Sequence, residues 1–129
     1  MKKFINLCFF LPSMTKEKEE ILIASAKDYF KIAKFALTSK NYNSAVVLFF
    51  KSLVTLTDIY ILRETGQAPS SHTSRFRISE DRFPEIYNLL DRDFPFYQDS
   101  YNHKMSKELA EVIKDDTEYL AKKLEVNLS

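Results

Sequence analysis

The stretch YNSAVVLFFKSLVTLTDIYILRE, Tyr42–Glu64, decides the fold. Ala45, Val46, Leu48, Phe49, Phe50, Leu53, Val54, Leu56, Ile59, Ile61 and Leu62 occupy nearly the whole circumference of a helix rather than one stripe of it. A helix apolar all round must be covered on several sides. Its most apolar part, Val46–Leu62, also invites a membrane reading. Against that reading, Lys51 and Asp58 would each cost roughly 2.5–3.5 kcal/mol near the centre of a spanning helix, and Ser52, Thr55 and Thr57 weaken it further. The expectation is a buried central helix with no membrane involved, ended by Gly66 in the left-handed conformation that glycine tolerates.

On its N-terminal side, Leu22, Ala26, Tyr29, Ala33, Ala36 and Leu37 recur at three- and four-residue steps and share one helical face. Thr15 is placed to cap this helix, with Glu17, Glu19 and Glu20 in its opening turns. It should run from about Lys16 to Ser39 and stop in the polar turn Ser39–Asn43. The short connection makes it antiparallel to the central helix. Lys27, Lys31 and Lys34 form a basic stripe on another face. That stripe reads as a solvated surface or as a track for a nucleic-acid backbone.

On the C-terminal side, Gln67–Ser79 reads as an exposed loop with one helical turn at most. A third helix starts near Arg82–Pro84 and carries Ile86, Leu89 and Leu90 inward, with Pro84 in its first turn. Phe94-Pro95-Phe96 is expected to break it, leaving Tyr97–Lys104 irregular. Ser106 then caps a last helix on which Leu109, Ile113, Thr117, Leu120 and Leu124 hold helical spacing. No internal repeat or sustained heptad is present. The fold class expected is all-α, an up-down antiparallel bundle of four to five helices. It forms a single domain over 1–129, with an N-terminal extension at 1–14 and the bundle at 15–125.

A length of 129 residues suits one core. One glycine among them argues against hairpin-rich β folds and cannot build a phosphate-cradling loop, and neither a G-x-x-x-x-G-K nor a G-x-S-x-G motif occurs. A net charge of +1 provides no global field for a polyanion, so nucleic-acid binding would need a local patch or a dimer cleft. Cys8 is the single cysteine, which excludes an internal disulfide and points to a reducing, cytoplasmic setting. His72 and His103 are the only histidines, with no Glu-x-x-His pair, so neither a metal nor another cofactor is expected. Met1–Ser13, MKKFINLCFFLPS, imitates a secretory start but lacks an A-x-A cleavage site. A short strand or turn covering the bundle is the expectation there, with a signal role left open.

Asp28–His72 resembles the front half of prokaryotic HEPN domains: an Ala- and Leu-spaced helix pair, the stretch Lys51-Ser52-Leu53, and a loop with Gly66, Pro69 and His72. Tyr97–Leu124 is similar to the closing helix of that family. The resemblance implies a bundle that dimerises about a two-fold axis. It also implies one of several roles: an RNase of a toxin–antitoxin pair with an Arg-x4-6-His motif in the dimer cleft, a partner of a minimal nucleotidyltransferase, or a noncatalytic binder of nucleic acids or nucleotides. Here Arg92 stands where the motif would begin, but the next histidine is His103, outside the family spacing. The catalytic role therefore does not carry over.

The leading expectation is a homodimeric binding module for a nucleic acid, a nucleotide or a partner protein, without strong catalysis. One alternative is a metal-independent RNase in which His103 moves protons and Arg92 stabilises phosphorane charge. Another is a structural subunit beside a nucleotidyltransferase or an antitoxin. Candidate binding residues are His72, Arg75, Arg77 and Arg82, whose arginine forks suit phosphate, together with Tyr101 and Asn102 beside His103. Phe94–Tyr101 supplies aromatics that either stack on bases or plug the bundle end or a dimer seam.

Overall fold

The computed structural model describes residues 12–129, with side chains from 15 onward. All regular structure among them is helical: α1 Pro12–Thr38, α2 Tyr42–Thr65, α3 His72–Arg82, α4 Pro84–Asp99 and α5 Lys107–Lys123. The helix that is apolar all round is indeed the centre, packed by α1, α4 and α5. Phe49, Leu53, Leu56, Ile59 and Ile61 are wholly buried along it. By length and composition alone α2 could cross a membrane, but 72% of its most apolar window is buried inside the fold.

Side-chain pairings give the direction of each neighbour. Phe30 packs edge-on against Phe49 and Glu19 pairs with Arg63, so α1 runs opposite to α2. Tyr97 stacks on Phe50 while Phe83, just before α4, meets Tyr60, so α4 also opposes α2. Thr117 donates to the Phe49 carbonyl and Arg63 donates to the Leu124 carbonyl, so α5 runs alongside α2.

Local signals end the helices where the residue chemistry demands. Gly66 adopts φ 84° and its N–H closes on the Leu62 carbonyl. Ser106 Oγ accepts from the Leu109 N–H and caps α5. Asn43 acts at long range: its Nδ2 donates to the carbonyls of Ser100 and His103, and its Oδ1 accepts from the Met105 N–H. The turn between α4 and α5 is thereby tied to the start of α2.

Three sequence expectations give way. α1 begins at Pro12, so Thr15 lies inside a helix instead of capping it, and the extension loses its last residues to α1. Residues 1–11, where the cover over the bundle was expected, lie outside the described residues. The loop expected over Gln67–Ser79 contains most of α3, capped by Ser71 Oγ accepting from the Ser74 N–H. Apolar periodicity misses this helix because the residues it buries are Arg75 and Ser79. α4 also continues through Pro95 to Asp99. Pro95 faces outward while Phe94 and Tyr97 pack on Phe50, and that aromatic contact offsets the lost helical hydrogen bond.

Candidate functional site

α2 buries one acidic residue, Asp58, which is 8% exposed. A buried carboxylate needs a partner. α3 supplies it: Arg75 Nε lies 2.7 Å from Asp58 Oδ1, and Nη2 lies 3.0 Å from Oδ2, a two-pronged contact between planar groups. The third prong, Nη1, lies 2.8 Å from His72 Nδ1. Arginine can only donate, so Nδ1 accepts and the neutral ring carries its proton on Nε2.

Burial holds His72 below its ordinary value, and the Arg75 charge adds to the effect. Asp58 moves the other way, because burial outweighs the hydrogen bond and charge of Arg75. These directions fit a His72 that is neutral near pH 7 and whose one basic nitrogen is already occupied. It is equipped to donate from Nε2 but not to abstract a proton.

These residues line a cavity of about 360 Å³ with Tyr29, Phe50, Lys51, Val54, Thr55, Ser70, Ser71 and Tyr97. That volume is at the small end for ligand sites. Lys51 makes no ion pair among the described residues. The first turn of α3 opens at the same place. Ser71 satisfies the N–H groups of Ser74 and Arg75, leaving those of His72 and Thr73 without helical partners. Because Arg75 neutralises Asp58, the charge left at the cavity is that of Lys51. Phe50 and Tyr97, stacked with centroids 4.7 Å apart, form its aromatic wall.

Of the residues singled out from the sequence, the structure brings His72 and Arg75 together here. Tyr101 approaches through its hydroxyl, 3.1 Å from that of Tyr97. Arg77 lies on α3 beside a separate groove with Phe76, Glu80 and Tyr87. Arg82 ends α3 with its guanidinium over the Phe83 ring. Asn102 and His103 are exposed in the turn after α4, and the His103 ring has no hydrogen bond within the described residues. Arg92 faces α5, paired with Asp116 and Asp93. Arg92 and His103 thus have different surroundings and no common partner among the described residues.

Lys51 and Asp58 were missed as site residues, whereas Tyr97 falls in the Phe94–Tyr101 stretch whose aromatics were read as stacking on bases or plugging the bundle. The one signal in the sequence was Asp58, a charge inside an otherwise enclosed helix that had to be answered by a cation from elsewhere. Among the described residues no three His, Cys, Asp or Glu side chains gather where they could hold a metal ion. No family model, no curated protein and no solved structure matches this chain.

Proposed function

We propose that the chain is a HEPN-like up-down bundle acting in the cytoplasm as a noncatalytic binding module, and that its ligand is a nucleotide seated between α2, α3 and α4. One observation carries the reading: Lys51, the open first turn of α3 and the Tyr97 ring line one cavity. A phosphate suits the first two, since a helix N-terminus and a lysine both favour an anion. A base suits the half-buried Tyr97 ring, backed by the buried Phe50, where stacking tolerates any base. The neutral His72 adds a donor without adding a base.

The alternative of a metal-independent RNase using Arg92 and His103 is favoured by no observation, since Arg92 spends its guanidinium on Asp93 and Asp116.

Calorimetric titration with AMP, CMP and adenosine tests the proposal. Both nucleotides should bind, adenosine should bind more weakly, and added salt should weaken the nucleotides alone. Lys51→Gln should reduce nucleotide affinity roughly 10- to 100-fold, the loss of one charge-assisted hydrogen bond of about 1.5–3 kcal/mol. Failure of both nucleotides to bind at millimolar concentration would sink the reading.

A further inference from the structure

A second charged cluster lies where α4 meets α5. Asp93 is 0% exposed, and among the described residues neither of its carboxyl oxygens meets a hydrogen-bond donor. Asp116 Oδ2 is equally buried and equally without one. Arg92 Nη2 bonds the other oxygen of Asp116, while Arg92 Nε stands 3.6 Å from Asp93 Oδ1, too far for a hydrogen bond. Three buried acceptor oxygens without donors and two carboxyl groups under a single guanidinium do not balance.

We infer that Asp93 and Asp116 share one proton beneath Arg92, and that this acid–carboxylate pair is a pH-sensitive latch between α4 and α5. A proton on Asp93, donated to Asp116 Oδ2, satisfies that oxygen and turns the Asp93 hydroxyl into a donor. The remaining Asp93 oxygen faces Arg92. One negative charge is left for one positive charge, and the two aspartates no longer repel.

Burial, followed by the hydrogen bond to Asp116 and its like charge, pushes Asp93 up to about 8, whereas Arg92 pulls it down. Arg92 and Asp116 are the charged groups that act on it from α4 and α5. Asp93 therefore keeps a proton in the folded chain that the unfolded chain releases near its ordinary value of 3.8. The folded state binds the extra proton, so the latch's contribution is fully present below about pH 4, is lost as pH rises, and is gone above about pH 8. In the middle of that window this single proton lowers the folding equilibrium constant about tenfold per pH unit.

The test combines a carboxyl ¹³C titration of aspartate-labelled protein with urea unfolding from pH 5 to 9. The Asp93 signal, identified by its disappearance in Asp93→Asn, should titrate near pH 8. In Asp116→Asn, which removes the neighbouring charge, it should move toward acid by a pH unit or more. Asp93→Asn, whose amide donates permanently, should flatten the decline of stability with pH. If Asp93→Asn does not fold, the shift between wild type and Asp116→Asn identifies the same signal and decides alone. An aspartate titration confined to the region near pH 4, or equal pH slopes in wild type and Asp93→Asn, overturns the inference.

Discussion

Arg75→Ala should lower the unfolding free energy by about 3–5 kcal/mol, the usual cost of leaving one member of a buried ion pair alone. In a domain of this size that is a fall of roughly 10–20 °C in melting temperature. The cause is Asp58, 8% exposed on the central helix and answered by two prongs of Arg75. Its carboxyl already stands above its ordinary value through burial, and removing the arginine's opposing hydrogen bond and charge raises it further. A raised carboxyl pKa costs stability as pH rises, so the variant should lose more at pH 8 than at pH 4. Adding Asp58→Asn to Arg75→Met should recover much of the loss, because no uncompensated charge then remains. Urea unfolding of the single and double variants at both pH values measures this. A cost below 1 kcal/mol for Arg75→Ala would mean the pair is solvated and not structural.

Phe49→Ala should cost about 3–5 kcal/mol for a different reason. Phe49 is 0% exposed and meets Phe30 edge-on at 5.4 Å, and its backbone carbonyl receives the Thr117 hydroxyl from α5. Truncation leaves a cavity where α1, α2 and α5 meet. Unlike Arg75→Ala, its effect should be nearly independent of pH, so comparing the two variants at pH 4 and pH 8 separates an electrostatic loss from a packing loss. Chemical denaturation reads both, and a pH-dependent Phe49→Ala would contradict the assignment of Phe49 to the dry core.

What the sequence disclosed followed from how local each signal was. The central role of α2 could be read because apolar residues surround it, and Gly66 and Ser106 end or begin helices by chemistry that needs only a few neighbouring residues. α3 could not be read that way, because it faces the core with an arginine and a serine and its stability comes from Asp58 across the fold. Pro95 misled for a related reason: a helix-breaking residue is tolerated where the aromatics on either side of it are packed.

The site divides in the same manner. His72 and Arg75 stood out through arginine density and the Gly66–Pro69–His72 loop. Lys51 and Asp58 lie two turns apart on α2, but Tyr97 comes from α4, and they meet the start of α3 only in space. Arg92 and His103 looked like partners in sequence, yet Arg92 turns to α5 while Asn43 holds the backbone of His103.

The nucleotide site is tested most directly by following backbone amides by NMR while AMP is added to the ¹⁵N-labelled chain. The largest shifts should fall on Ser71, His72 and Thr73 at the start of α3 and on Lys51 and Tyr97, which line the same cavity, and Lys51→Gln should diminish them together. Shifts centred instead on Arg92 and His103, or none at saturating AMP, would contradict the account.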